Sequence, residues 1–330
     1  MAEKSFDLIF IDYALPSGNA LDFIGKMEEK QLEIPVVVIT GKGDEMIASQ
    51  VIQRGAYDYL PKSRISKKSL ARIIHNTLEK FRMKTEIKQA MEAGKDTAIL
   101  VAAAIEQHGP HLPTATDTII GHAVAQAVAK KLGNALVAPV IRPALSRHHI
   151  DFPGTITLRM PTFVKVLEEY CKSLKIHGFK NIVLFVSHGG NTDALKAFTP
   201  SIAKKIGPGV QVLFVYTMKN NMNAILAQLA QKGITLGKAG VHSGFTETSI
   251  MLMLRPELVD MDKAAPGLTD EAFYQPENIS KSQISSFIHG IKSQAENGVL
   301  GDPTGANADI GKEIFNAKVD DLVAEISSNL

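Results

Sequence analysis

The chain has 330 residues, 45% of them hydrophobic and 21% charged, which is enough to bury a large core and leaves room for two domains. Its 36 basic and 34 acidic residues are spread without a basic stripe, so neither nucleic acid nor an anionic membrane surface is an expected partner. Because no apolar run approaches a membrane span and the first residues lack a signal-peptide pattern, we expect a cytoplasmic protein.

The first eighty or so residues alternate the patterns of buried strands and amphipathic helices. "FDLIFID" and "IPVVVIT" are apolar runs typical of strands buried on both faces, and "AYDYLPK" predicts a third, shorter strand. Helical spacing in "NALDFIGKMEEK" and "EMIASQVIQRG" separates them, and Ser66 is predicted to cap a long helix over 66–93. This order predicts a parallel α/β unit, with a domain boundary inside the long helix, between residues 82 and 83.

Each of these three runs ends in a polar or charged residue: Asp12, Thr40 and Lys62. The segments "DLIFIDYALPSGNALDFI", "PVVVITGKGDE" and "GAYDYLPKS" resemble a two-component response-regulator receiver domain, which has a flavodoxin-like fold. The resemblance implies that Asp12 is the phosphoacceptor, Thr40 the switch hydroxyl and Lys62 the partner lysine.

The receiver-like segment, 1–82, lacks the first strand, helix and strand of that family, which carry the acidic residues that hold Mg²⁺. Phosphoryl transfer depends on that ion, so we expect no switching in the usual way. The sheet would expose an edge at "FDLIFID". We therefore expect a docking or oligomerisation module.

From about residue 96 the strand and helix alternation restarts. Strands are predicted at 98–106, 135–139, 181–187 and 210–216, and helices at 118–132, 161–177, 192–206 and 220–232. This pattern predicts a second, larger α/β layered domain over 83–330. The one cysteine, Cys171, lies in a helical apolar pattern and is interpreted as a core residue rather than a catalytic thiol.

Ligand-type side chains follow two of the predicted strands. In "IEQHGPHLPTATD", strand alternation would place Glu106 and His108 on one face and Gln107 on the other, with Asp117 just before a helix. The run "NIVLFVS" is followed directly by His188. Because the carboxyl ends of parallel strands meet at one rim, we expect these side chains to converge there.

A third segment, "GVHSGFTETS", adds His242 and Glu247. Carboxylates mixed with imidazoles suit Zn, Mn or Fe, and two ions fit if one carboxylate bridges them. Taken singly, each element has a plainer interpretation: an aspartate before a helix is usually a cap, and "HGGN" by itself is usually a turn. Their recurrence at successive strand ends favours a metal site.

These segments, together with "DFPGTITL" and "GDPTGANADIGKE", resemble the creatininase (creatinine amidohydrolase) family over roughly 85–330. The resemblance implies a three-layer α/β fold, an oligomer that is often a hexamer, and a two-metal amidohydrolase centre. Carried over by position, the metal ligands are Glu106, His108, Asp117 and His188, with Asp117 bridging the ions. His242 is then the proton donor or relay.

One position departs from the creatininase pattern, because Gly190 stands where creatininase has a glutamate ligand. Glu247 is our hypothesis for the missing ligand, and loss of the second ion is the alternative. The family pattern also places His148 and His149 near the site.

The activity implied is hydrolysis of a small cyclic amide or formamide by a metal-bound hydroxide. Backbone N–H groups of Gly189 and Gly190 would support the oxyanion. His111 would face the substrate or make a structural hydrogen bond. Creatininase closes its pocket with tryptophans and this chain has none, so creatinine is not the expected best substrate. The competing function is a signalling or scaffold protein in which the hydrolase fold is inactive.

Overall fold

The computed structural model describes residues 6–16, 18–41, 45–216 and 220–330. The chain forms two compact units, Met1–Gly94 and Lys95–Leu330. The predicted boundary at 82/83 stays a prediction, and it falls within the last helix of the first unit. No helix in the described ranges is long and apolar enough to span a membrane.

The first unit contains a parallel sheet of three strands in the order β1-β4-β5, and a small antiparallel pair, β2-β3. Its elements in chain order are β1 Ile9–Asp12, β2 Ala14–Leu15, β3 Gly18–Asn19, α1 Ala20–Glu29, β4 Val36–Thr40, α2 Glu45–Gln53, β5 Asp58–Pro61 and α3 Lys67–Glu92. Ser66 caps α3 in a capping box with Ser69, which confirms the predicted start of this helix. The parallel α/β prediction is also confirmed.

The second unit is built on a parallel sheet in the order β7-β6-β8-β9. Its elements in chain order are β6 Thr97–Ala102, α4 Thr116–Leu132, β7 Ala135–Val137, α5 Met160–Ile176, β8 Asn181–Val186, α6 Thr192–Ile206, β9 Gln211–Val215, α7 Asn220–Gln231, α8 Leu236–Ala239, α9 Phe245–Leu254, α10 Glu271–Tyr274, α11 Pro276–His289 and α12 Ala308–Asn329.

Both faces of this sheet are covered, as expected for strands that are apolar throughout. Alternate residues of β6 enter two different cores: Ile99 packs with residues of α4, α7, α9 and α12, whereas Leu100 packs with residues of α5 and α6. The resulting three layers confirm the predicted architecture. Cys171, on α5, lies in the second core and is fully buried, as predicted.

The end of β6 differs from the prediction, because the strand stops at Ala102 and does not continue to Glu106. Its neighbour β8 stops at the same level, since Ala102 pairs with Val186. Beyond that point the segment leaves the ladder and makes only isolated bridges, such as that between Ile105 and Ile156. The strand alternation used to orient residues 106–108 was therefore wrong.

Candidate metal centre

Four of the predicted ligands meet above the ends of β6 and β8. Glu106 and His108 lie on the irregular segment after β6, His188 lies two residues after β8, and Asp117 is in the first turn of α4. All four side chains are buried. The predicted rim of converging side chains is thus present, although Glu106 and His108 reach it from a loop and Asp117 is a helical residue rather than a cap.

Glu106, Asp117 and His188 form one candidate ligand group, with one atom of each within 4.8 Å of the others. His188 Nδ1 lies 3.0 Å from Glu106 Oε1 and 3.5 Å from Asp117 Oδ2. Neither Glu106 oxygen nor Asp117 Oδ2 accepts a hydrogen bond from any described residue. Buried carboxylate oxygens without donors are costly, so this set fits a cation.

The histidine rings are held so that one nitrogen of each faces the carboxylates. His188 Nε2 donates to the carbonyl oxygen of Leu145 at 3.1 Å, and His108 Nδ1 donates to that of Glu106 at 3.1 Å. A carbonyl only accepts, so each ring carries its proton on that side. When an ion displaces the second ring proton, the lone pairs of His188 Nδ1 and His108 Nε2 point into the site, as metal ligation requires.

A second candidate position lies on the other side of Asp117. His108 Nε2 is 3.6 Å from Asp117 Oδ1 and 3.9 Å from Glu247 Oε2. Asp117 thus turns one oxygen toward His108 and the other toward His188, which is the geometry of a bridging carboxylate. Glu247, in the first turn of α9, accepts from the backbone N–H of Ser243 at 2.6 Å.

His242 and His149 are tied to the same site through Gln107, which strand alternation had predicted to point the other way. Gly109 N–H donates to Gln107 Oε1 at 2.8 Å, so the Gln107 amide donates to His149 Nδ1 at 2.9 Å. His242 Nε2 donates to the backbone carbonyl oxygen of Gln107 at 2.8 Å. The facing nitrogens, His149 Nε2 and His242 Nδ1, lie 3.5 and 3.7 Å from Glu106 Oε1.

The pKa values of the histidines in this site are shifted in opposite directions. Burial would lower the pKa of His108 and His188, but nearby carboxylates, chiefly Asp117 for His108 and Glu106 for His188, raise them to about 10 and about 9. Burial lowers the pKa of His242 and His149 well below the usual value. The site therefore attracts positive charge between its carboxylates, and a divalent ion can supply it in place of protons.

Two cavities border the cluster. The His188 cavity, of 190 Å³, is lined by His148, His188, Gly190 and His242 among others. The Lys318 cavity, of 290 Å³, is lined by Glu247 and Lys318 among others. Both are lined by Gly189, Thr192, Tyr216 and Val241.

His111 and Gly190 have structural contacts that constrain their roles. His111 is buried and its Nε2 lies 2.9 Å from Thr248 Oγ1, which supports the structural-hydrogen-bond alternative. A Cβ added to Gly190 would lie 2.4 Å from His188 Nε2 and 2.8 Å from the Leu145 oxygen. No side chain fits at position 190 without displacing His188.

In the first unit, the three receiver-type residues lie at the carboxyl ends of its parallel strands. Asp12 ends β1, Thr40 ends β4, and Lys62 follows β5. Lys62 forms an ion pair with Asp12, and its hydrogen bond lowers the pKa of that carboxyl group. Thr40 is buried, and its hydroxyl has no hydrogen-bond partner within the described ranges.

A parallel α/β domain with buried carboxylates and imidazoles above its strand ends is an architecture suited to a metal centre. The creatininase family, described as creatinine amidohydrolase, matches residues 82–326, and the chain belongs to it. The response regulator receiver domain matches residues 1–75. Both predicted resemblances are confirmed.

The chain is 32% identical over 237 residues to a mycofactocin precursor peptide peptidase of Mycobacterium ulcerans (strain Agy99), covering 67% of this chain and 81% of that protein. It is 30% identical over 188 residues to a creatinine amidohydrolase of Pseudomonas putida, covering 54% and 72% of the two chains. Among solved structures, a mutant creatininase of Zn-Zn type has a TM-score of 0.59 at 25% identity, covering 74% of this chain and 95% of that one.

Proposed function

We propose that the chain is a metal-dependent amidohydrolase that uses this centre to cleave an amide C–N bond. One observation carries the proposal: both Glu106 oxygens and Asp117 Oδ2 are buried without a hydrogen-bond donor among the described residues, and His188 Nδ1 faces them. Glu106, Asp117 and His188 would hold one ion, and the metals that accept oxygen and nitrogen ligands together are Zn, Mn and Fe. His108, Asp117 and Glu247 would hold a second.

Bound there, a divalent cation polarises a carbonyl group and lowers the pKa of a water molecule toward neutrality. The chain's own residues supply the proton transfer. Burial lowers the pKa of His242, so its Nδ1 is unprotonated and can accept a proton from the nucleophile. The backbone carbonyl oxygen of Gln107 accepts from His242 Nε2 at 2.8 Å and so holds the ring in place. Once protonated, the same Nδ1 can return its proton to the leaving nitrogen.

For the substrate we keep the sequence-based proposal of a small cyclic amide or formamide, with creatinine ranking low. Without tryptophan, the chain cannot supply the indole rings with which creatininase closes its pocket, and an aromatic pair is worth up to about 1.5 kcal/mol. The aromatic side chains that line the His188 cavity are instead Tyr216, Phe273 and Phe287. A peptide-type amide is the second candidate. It is favoured by the relative that is named a precursor peptide peptidase, and by the presence of two cavities beside the site that share four lining residues.

We further propose a cytoplasmic homo-oligomer with no nucleic-acid or membrane partner, and the resemblance to the family implies a hexamer. Light scattering of the purified protein tests its oligomeric state. The rival function, a scaffold with receiver-mediated contacts and an inactive hydrolase fold, predicts that no metal binds.

The deciding experiment is elemental analysis of protein purified without chelator, followed by assays with Zn and Mn each supplied. We expect bound metal, and expect His188→Ala to lose metal and activity together. A panel of creatinine, formamides, cyclic amides and short peptides, compared by kcat/KM, then ranks the substrates. Wild-type protein that is metal-free and cannot be reconstituted would exclude the enzyme proposal.

A further inference from the structure

Lys318 is a cation in an otherwise largely apolar cavity. It lies on α12 and is partly buried, and it makes no hydrogen bond or ion pair with any residue in the described ranges. The apolar residues of the Lys318 cavity come from several elements and include Ile120, Val124, Phe185, Met222, Leu226 and Leu236. Placing an ammonium group among such side chains is unfavourable unless an anion pairs with it.

The position of Lys318 relates it to the candidate metal centre. Glu247 lines the same cavity, and Gly189 and Tyr216 line both this cavity and the His188 cavity. Burial lowers the pKa of Lys318, and the negative charges of Glu247 and Asp117 oppose that shift. A ligand that spanned both cavities would lie beside His188 in one and beside Glu247 and the Lys318 ammonium group in the other.

We propose that Lys318 binds the carboxylate of an amide substrate whose apolar part fills the Lys318 cavity. The chemical class is an N-acyl amino acid or short peptide with a hydrophobic side chain and a free carboxylate. This inference rests on the proposed amidohydrolase function and narrows its substrate. Glu247 lines the same cavity and its charge acts on Lys318, but no ion pair joins the two side chains, and Glu247 Oε2 is engaged by Ser243 N–H and faces His108.

The probes for this site are 3-phenylpropionate and its neutral amide, 3-phenylpropionamide, which share an apolar body and differ in charge. Their dissociation constants are measured by calorimetry on Zn-loaded and on chelator-treated full-length protein. We expect wild type to bind the acid about tenfold more tightly than the amide in both forms, because a hydrogen bond to a charged group is worth that much. The metal-free form separates binding at Lys318 from binding to an ion.

Lys318→Met should abolish the preference for the acid, and Lys318→Gln should do the same if the apolar variant folds poorly. Lys312→Met is the matched control, since Lys312 is an exposed lysine on the same helix. A purely structural role for Lys318 would change stability but leave the ratio of acid to amide affinity unaltered. The proposal is overturned if wild type does not prefer the acid, or if both Lys318 variants keep that preference. If wild type showed no metal-dependent hydrolysis, that result would instead contradict the proposed function.

Discussion

Replacing Gly190 with alanine tests whether the orientation of His188 is imposed by its surroundings. A Cβ at this position would lie 2.4 Å from His188 Nε2, and 2.8 Å from both His148 Cε1 and the Leu145 oxygen. Carbon atoms in ordinary contact lie about 3.5–4.0 Å apart, so at least one of these groups must move. Two of them are the donor and acceptor of the hydrogen bond that fixes the His188 ring.

The expected effects follow from this crowding. An extra carbon in a tightly packed site costs about 1–3 kcal/mol in the free energy of unfolding. Loss of the carbonyl partner of a ligating histidine lowers metal affinity by about 10–100-fold. Gly190→Ala should therefore weaken Zn binding by at least about tenfold, even where the protein remains folded.

Gly189→Ala provides the matched control, because a Cβ there would meet no atom within 4 Å. Stability is measured by urea unfolding of the metal-free forms, and affinity by competition with a chromophoric chelator. We expect Gly189→Ala to lie within about 0.5 kcal/mol of wild type. The reasoning would be refuted if Gly190→Ala bound Zn as tightly as wild type, or if both variants lost Zn affinity to the same extent.

Three further predictions concern other residues. Glu247→Gln should reduce the number of ions bound per chain while one ion is retained at Glu106 and His188, and unchanged stoichiometry by elemental analysis would contradict this. Cys171 should not react with a thiol reagent in native protein at pH 8, because burial raises its pKa to about 12, but it should react after unfolding in urea. Asp12 should not be stably phosphorylated by small phosphodonors with Mg²⁺, and an acyl phosphate trapped there and detected by mass spectrometry would revive the signalling hypothesis.

The parts of the site that the sequence predicted are those set by the strand pattern. β6 and β8 are continuous apolar runs, and the ends of neighbouring parallel strands meet at one edge, so the pattern predicts that the segments carrying Glu106 and His188 leave the sheet side by side. The three-layer arrangement follows from the same runs, because strands that are apolar on both faces need cover on both sides.

The remaining parts depend on contacts that no local pattern encodes. Gln107 faces His149 because the chain leaves the strand before it, so alternation no longer applies. Only the resemblance to the creatininase family placed His149 near the site. Lys318 gave no signal, since a lysine on an amphipathic helix is ordinarily on the solvated face.

We propose that Glu247 supplies the ligand that creatininase has at the position of Gly190. Close contacts with His148, His188 and the Leu145 oxygen leave no room for a side chain at 190, so Gly190→Glu would displace a ligand rather than add one. Glu247 instead approaches from α9 on the side of Asp117 that faces His108. A glycine in "HGGN" therefore removes the ligand from one strand end without removing the second ion's site, provided that another helix supplies the carboxylate. If Glu247 supplies that carboxylate, the departure from the creatininase pattern relocates a ligand and reshapes the cavity beside it, which bears on substrate choice more than on the capacity for hydrolysis.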